Sequence, residues 1–446
     1  MPLRNQIARI IGKTSRYLLT KYTHGGSSLP GKLALSIDPN ILENLSKNYQ
    51  VIVVTGTNGK TLTTSLIVEI LKEAFPFVLT NPTGSNMQQG IITTFLDAPL
   101  LKEDQKGMAV LEVDEGSLSH VVKALKPDYF VFTNIFRDQL DRFGELHTIF
   151  QLLKNAAESA PSAKIIANGD LPMFNSSEIK NQKIFFGFNH QKDEPVTPNH
   201  NTDGLLCPEC DHILSYNMLT YANLGNYYCQ NCGFRRPELS YQVDQINELT
   251  LSHSQFTINS ERFDLPVAGK YNIYNALAAY SVAKELGLDT GTIRQGFENA
   301  KKVFGRQESI QIKNKKVLLN LVKNPVGLDQ VLELIAYDQH PFTLVNILNN
   351  QYADGTDVSW IWDGNYECLN TMPVKEVITA GDKIDDMTKR LIVAGLDQTL
   401  IKKADSTEQL IHLIENAKTE NIHILATYTA MLKLREELKK LGYIGQ

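Results

Sequence analysis

The sequence predicts an α/β protein: a phosphate-binding unit interrupted by a four-cysteine zinc ribbon, followed by a second α/β unit that has no phosphate loop of its own. Three observations carry this. A β-branched run at Val51 to Thr55 leads through a glycine-containing turn into a helix. Short buried strands alternate with helical segments up to residue 170 and again from about residue 310. Between these stretches two Cys-x-x-Cys pairs break the pattern.

At about 150 residues per domain, 446 residues allow two to four domains. A hydrophobic fraction of 42% and a charged fraction of 21% belong to a globular protein, and a net charge of −5 offers nucleic acid no basic footprint. No apolar run approaches the roughly 18 residues of a membrane span, and the N-terminus lacks the apolar core of a signal peptide, so a cytoplasmic protein is expected. The patterns divide the chain into residues 1–47, 48–308 and 309–446.

Residues 1 to 24 set Arg4, Arg9, Lys13, Arg16 and Lys21 among Ile7, Ile10, Ile11, Leu18 and Leu19. Such a basic amphipathic helix either packs on its own domain or lies on an anionic membrane surface. Residues 25 to 50 read as a connector with a short capping element. After the strand, backbone N–H groups of Gly56, Thr57, Asn58, Gly59 and Lys60 are expected to face phosphate oxygens. Lys60 adds a full charge and Thr61 a hydroxyl ligand for Mg²⁺, ahead of a helix over Leu62 to Phe75. A strict P-loop has four residues before its Gly-Lys pair; here there are two, Thr57 and Asn58, so the loop is a shortened relative.

Phe77 to Thr80 leads into the polar loop Asn81 to Asn86. A second strand, Met108 to Val113, ends in Glu112, Asp114 and Glu115, and an acid at that place beside a P-loop holds Mg²⁺ or its water. A third strand, Tyr129 to Asn134, precedes Asp138 and Asp141, one helical turn apart and usable for metal, substrate or a helix start. A fourth, Lys164 to Ala167, ends in Asn168-Gly-Asp170. Cys207, Cys210, Cys229 and Cys232 then form two knuckles in an insertion of about residues 200 to 240. Their spacing indicates structural zinc, with a redox pair or iron–sulfur cluster as the alternative. Strands in a meander over residues 241 to 265 precede a helix opened by Gly269. There Asn272 and Asn275 could read an adenine edge, or Asn272 could simply cap the helix. Arg306, after Gly305, is a candidate phosphate clamp.

In the second unit, strands Val317 to Val322, Phe342 to Leu348, Val377 to Ala380 and His423 to Ala426 alternate with helices Leu328 to Tyr337, Met387 to Ala394, Ser406 to Lys418 and Ala430 to Leu441. Polar groups cluster after strands, at Lys323 and Asn324 and in the loop carrying Asp354, Asp357, Trp360, Trp362 and Asp363. The two tryptophans form either a contact surface or part of the core.

Gly56 to Thr61, Glu112, Thr133-Asn-Ile, Asp138-Gln-Leu-Asp141, Asn168-Gly-Asp170, Gly269 with Asn272 and Asn275, and Gly305-Arg306 occur in the order of the motifs of the Mur ligases. The chain resembles that family over about residues 50 to 345. The four cysteines, Lys323-Asn-Pro325 and the Asp357 loop resemble its amidating branch, the synthetase subunits of lipid II isoglutaminyl synthases. The resemblance implies ATP bound at Gly56 to Thr61, Mg²⁺ held by Thr61 and Glu112, and adenine contacts from Asn272 and Asn275. It also implies zinc on the four cysteines and catalysis with Lys60, Glu112 and Asp357. Asp357 would complete, across an interface, the Cys–His pair of a GatD-type glutaminase subunit. The implied reaction is amidation of the D-glutamate α-carboxylate of the lipid II stem peptide through an acyl phosphate. Gln139 stands where ordinary members carry His, and Lys323-Asn324-Pro325 where they have an Asp-containing loop for the incoming amino acid. With zinc on four cysteines only Cys368 is left as a thiol, in a segment with no nucleophile turn, so glutamine nitrogen needs a second polypeptide. Two other readings stay open in the sequence: a Mur-type ligase adding an amino acid, and an ATP-binding scaffold that uses its ribbon for docking.

Overall fold

The computed structural model describes residues 3–22, 28–82, 84–99, 101–102, 104–137, 146–189, 203–300 and 307–444. The N-terminal segment is helical: α1 (Leu3–Tyr22), α2 (Leu29–Ile37) and α3 (Ile41–Ser46). The connector expected over residues 25 to 50 is thus largely two helices. Pro30 occupies the first turn of α2, where its missing N–H is no loss, and Ala34 and Ile41 are fully buried.

The central sheet collects β1 (Tyr49–Thr55), β2 (Val78–Thr80), β3 (Gly107–Glu112), β4 (Tyr129–Phe132), β5 (Lys164–Asn168) and β6 (Lys183–Phe188). The ribbon hairpin β7 (Ser215–Tyr221) and β8 (Leu224–Tyr228) stands apart, and β9 (Tyr241–Leu249), β10 (Ser254–Ile258) and β11 (Glu261–Leu265) complete the sheet. Its order is β11-β10-β9-β6-β5-β4-β1-β3-β2. β1 runs parallel to both β3 and β4, and Val51 to Val54 are at most 1% exposed, as continuous β-branched runs covered on both faces require. β9, β10 and β11 form the expected meander.

Helix α4 (Lys60–Ala74) begins at the phosphate loop, two residues earlier than expected, and α5 (Gln88–Asp97) follows the Asn81 loop. Helix α6 (Lys270–Glu285) is buried nearly all round, against α4 and the sheet. The second sheet holds β12 (Glu308–Ile312), β13 (Lys315–Leu321), β14 (Phe342–Ile347), β15 (Val374–Ala380), β16 (Ile401–Ala404) and β17 (Asn421–Ala426) in the order β12-β13-β17-β14-β15-β16. Only β12 is antiparallel to its neighbour. Helices α7 (Pro325–Ile335) and α8 (Tyr428–Lys440) open at the carboxyl ends of β13 and β17. Among the described residues no helix is long and apolar enough to cross a membrane.

Candidate active site

The phosphate loop is held by asparagines from other elements. Gly56 (φ 126°) and Gly59 (φ 86°) are left-handed, and a side chain at either would collide, at Gly56 with Thr133 and Asn134 and at Gly59 with Asn275. Thr57 N–H donates to Asn134 O at 3.0 Å and Asn58 N–H to Asn134 Oδ1 at 2.8 Å. In return Thr133 Oγ1 and Asn134 Nδ2 donate to Asn58 O at 2.9 and 3.0 Å. Of the five amides expected to face phosphate, those of Thr57 and Asn58 are therefore engaged by Asn134. Gly59 caps α4, so the helix end at Lys60 and Thr61 faces the loop with its first-turn amides.

Lys60 Nζ donates to Gly56 O at 2.6 Å and to Glu115 Oε1 at 3.0 Å, with both side chains nearly buried. Burial pulls its ammonium pKa down, but Glu115, Glu112 and Asp114 outweigh that and hold it above the ordinary lysine value, so Lys60 is a cation. Asn81 brackets the backbone of Glu112, accepting from its N–H and donating to its O, both at 2.9 Å. Glu112 is 8% exposed at the very end of β3, one strand from the loop. Thr61 is half-buried, one residue after Lys60.

Asn272 and Asn275 are both buried on α6. Asn272 Nδ2 donates to Ala268 O at 2.7 Å, Asn275 Nδ2 to Asn272 Oδ1 at 3.2 Å, and Asn275 Oδ1 accepts from Thr63 Oγ1 at 3.2 Å. Asn275 thereby holds the first turn of α4 and lies against Gly59. Asn58 also reaches the second domain, where Asn324 Nδ2 donates to Asn58 Oδ1 at 3.2 Å while Asn324 Oδ1 caps α7 through Gly327 N–H. Between the two domains lies a cleft lined by Asn58, Gly59, Tyr221, Tyr271, Asn320 and Lys323, among others. Asn320 is 2% exposed, and its Nδ2 has no hydrogen-bond partner among the described residues. An orphaned donor on the wall of a cleft fits an acceptor on a bound molecule.

The ribbon meets the cleft through a buried cluster. Asp170, fully buried, accepts from Arg236 Nη1 (3.0 Å), Tyr274 Oη (2.6 Å) and Phe188 N–H (2.7 Å). Burial still pushes its carboxyl above the usual range against Arg236 and these hydrogen bonds. Tyr274 Oη also reaches Thr220 Oγ1 at 3.1 Å, next to Tyr221. At the ribbon tip the four sulfurs lie within 4.8 Å of one another, with Cys207–Cys232 at 3.6 Å and Cys210–Cys229 at 3.5 Å. A tetrahedral ion with metal–sulfur bonds of about 2.3 Å spaces its sulfurs about 3.8 Å apart, so the cluster fits a four-coordinate metal. Amides two residues beyond each knuckle, those of His212 and Phe234, face the sulfurs of Cys210 and Cys232.

In the second domain the acids of the tryptophan loop separate by role. Asp354 is buried and accepts from Thr429 N–H (2.7 Å) and Thr429 Oγ1 at the start of α8. Asp363 pairs with Arg137 of the central domain at 2.5 Å, and Arg137 also meets Asp203 at 3.2 Å. Asp357 alone of the three is fully on the surface, accepting only local bonds from Ser359 N–H (2.8 Å) and Ser359 Oγ (2.9 Å). Trp360 packs on the domain core, whereas Trp362 is 44% exposed with the Arg390 guanidinium 5.7 Å from its ring, so each expectation for the tryptophans holds for one of them. Cys368 is half-buried, and burial followed by Asp329 pushes its thiol up to about 11. It is no thiolate at neutral pH.

Arg306, Asp138, Gln139 and Asp141 lie outside the described residues. The structure adds Glu115, Asn134, Tyr221, Tyr271 and Asn320 to the site. Glu115 was visible as a strand-end acid, and Asn134 and Asn320 as asparagines at the ends of apolar strands; nothing local marked the tyrosines.

Residues 54–231 match the model of the Mur ligase middle domain and residues 321–431 that of the MurT ligase C-terminal. The chain is 46% identical over 438 residues, 98% of each chain, to the lipid II isoglutaminyl synthase (glutamine-hydrolyzing) subunit MurT of Streptococcus pneumoniae. It is 33% identical to the subunit of the same name from Staphylococcus aureus strain COL, over 99% of this chain and 98% of that one. Among solved structures, a pseudomurein peptide ligase type C from Methanothermus fervidus is similar at TM-score 0.69 and 21% identity, covering 90% of this chain and 81% of the other. MurF ligase from Thermotoga maritima in complex with ADP is similar at TM-score 0.62 and 16% identity, covering 92% and 85%.

Proposed function

The chain belongs to the MurT family of Mur ligases, and from that membership we propose that it is the synthetase subunit of a lipid II isoglutaminyl synthase, a carbon–nitrogen ligase of peptidoglycan synthesis. ATP transfers its γ-phosphoryl group to the α-carboxylate of D-glutamate in the lipid II stem peptide. Ammonia then attacks the acyl carbon and phosphate leaves, giving D-isoglutamine and ADP. The observation that carries this reading is that the glycine loop, at Asn58 and Gly59, and the β13 loop of the second domain line one cleft, with Lys60 and its carboxylates next along the chain from Gly59.

The α4 N-terminus and Lys60 sit where charge on a transferring phosphoryl group needs stabilisation. Thr61 and Glu112 would hold Mg²⁺, which when bound neutralises phosphate charge. Asn272 and Asn275 would border the adenine and Arg306 would clamp phosphate. Zinc is the ion that suits four thiolates at this spacing, and through Asp170 and Tyr274 the ribbon would steady Tyr221 at the cleft. The neutral amide pair Asn58–Asn324, in place of the family's Asp-containing loop, suits uncharged ammonia better than an amino-acid zwitterion. The exposed Asp357 and the unreactive Cys368 support a GatD-type glutaminase partner that receives Asp357 into its catalytic triad. The enzyme would work in the cytoplasm, at the inner face of the membrane that holds its lipid-linked substrate.

One assay tests this: ADP release and product mass with lipid II and Mg-ATP, supplied with ammonium or glutamine, with and without the glutaminase. The lone chain should amidate with ammonium and use glutamine only with its partner. ADP release that requires an amino acid, or robust glutamine use by the lone chain, overturns it.

A further inference from the structure

Helix α1 is packed opposite to an ordinary surface helix. Its buried stripe is Asn5, Ala8 and Gly12, small or polar residues. Asn5 Nδ2 donates to Asp38 Oδ2 at 3.0 Å, and a side chain on Gly12 would collide with Leu96 of α5. The bulky residues face outward: Leu3 is 73% exposed, Ile10 and Tyr17 each 65%, Leu18 47%, Ile7 43% and Ile11 40%. At 100° per residue these six fall within an arc of roughly 120° directly opposite the buried stripe. Leu29 and Leu33 on the adjacent α2 are exposed as well.

Burying aliphatic groups and exposing small polar ones is the expected arrangement in water, so a helix that does the reverse is shaped for another medium. Charge indicates which one. Arg4 and Lys13 flank the apolar arc on its two margins, α1 carries five cations and no acid, and the chain as a whole has a net charge of −5. The rest of the molecule is therefore acidic, and an anionic surface would attract α1 while repelling the remainder. Arg16, fixed to Asp97 at 3.0 Å, and Arg4, bonded to Ile37 O, clamp the helix down with its apolar face outward.

We propose that α1 docks this protein on an anionic lipid bilayer, lying in the interface with Leu3, Ile7, Ile10, Ile11 and Leu18 among the acyl chains and Lys13 at the headgroups. The position is functionally apt. The loop that precedes α5 reaches the backbone of Glu112 through Asn81, and the last residue of α5, Asp97, holds Arg16. At 1.5 Å per residue the ten residues of α5 span about 15 Å between that loop and the Asp97 contact with α1. The inference stands on α1 alone and goes beyond the proposed reaction.

The test is co-sedimentation of the full chain with vesicles of phosphatidylglycerol and, separately, of phosphatidylcholine. Binding to the anionic vesicles, weak on the zwitterionic ones and falling with salt, is expected. Ile7→Asp combined with Ile10→Asp should lower partition at least about tenfold, and Lys13→Glu about fivefold. These side chains are exposed, so thermal melting should not change. ADP release with a substrate fragment lacking the lipid tail should also stay constant, which separates this idea from failure of the proposed reaction. A wild-type chain that stays in the supernatant with anionic vesicles overturns the proposal, as does a double variant that partitions unchanged. If the double substitution alters only the protein's own sedimentation, the face is a protein interface and the proposal fails.

Discussion

Both sheets put their polar residues at the carboxyl ends of parallel strands, but the loop after β1 is folded inward and the loop after β14 faces out. The inward loop is bonded to Asn134, the first turn of the helix it opens is bonded to Asn275, and Lys60 is nearly buried among acids. The outward loop is anchored at its base, by Asp354 on Thr429, by Asp363 on Arg137 and by Arg390. Arg390, 2% exposed, bonds to Ile361 O (2.9 Å), Gly364 O (2.7 Å) and Glu367 (2.9 Å), leaving the tip at Asp357 in solvent. A loop that must hold charged phosphates against repulsion gains from pre-organised support on every side. A loop with the proposed role of completing another protein's site would need a firm base and a free tip.

The strongest way to break this contrast is Lys60→Ala. It removes the cation that Glu112, Asp114 and Glu115 act on and should lower ADP formation by about 10²–10³-fold with either nitrogen source. Activity of Lys60→Ala within a few-fold of wild type in an ADP-release assay would mean that the inward loop does not carry the phosphoryl chemistry. Asp357→Asn probes the other side. Glutamine-driven amidation should fall by roughly 10²–10⁴-fold, while ammonium-driven amidation changes by less than about twofold. Equal losses would move Asp357 from the partner's triad into the ligase site.

The smallest effect is expected behind the outward loop, in the second domain. Asp329 on α7, which follows the β13 loop, accepts from Asn365 N–H at 2.7 Å, just behind the tryptophans. Burial, then Glu367, raises its carboxyl to about 6. The folded state therefore binds this proton more tightly than the unfolded chain does. The associated stability is complete below about pH 4 and is lost as pH rises through about 6. Urea unfolding followed by tryptophan fluorescence reports this region, because both tryptophans lie in the outward loop. Asp329→Asn should flatten the decline between pH 4 and 7 by on the order of 1–3 kcal/mol. Identical pH profiles for the two proteins would show that Asp329 is not buried against this loop in solution.

Legibility followed the range of the interactions involved. The β1–loop–α4 unit, the knuckles and the strands from Met108 and Phe342 could be read directly because their signals are local. Short or poorly patterned elements escaped: β2 has three residues, all half-buried, and β16 only four, with Lys402 and Lys403 exposed. Residues 25 to 50 read as a connector because Gly-Gly-Ser-Ser and Pro signal turns, whereas packing against α1 and α5 makes most of the stretch helical.

What the sequence determined by itself is the chemistry with fixed local spacing: a glycine loop feeding a helix, four cysteines in pairs, acids at strand ends. Such spacing sets backbone geometry within a few residues, and geometry at that range needs no tertiary partner. The folded structure decided which acid pairs with Lys60, which of Asp354, Asp357 and Asp363 stays exposed, and that a ribbon tyrosine reaches the cleft. It also decided which face of α1 is covered. Hydrophobicity alone would have buried Ile7 and Ile10, and the opposite outcome depends on Gly12 fitting against Leu96 and Asn5 finding Asp38. Each of these pairings joins residues far apart in the chain, and no local pattern specifies them.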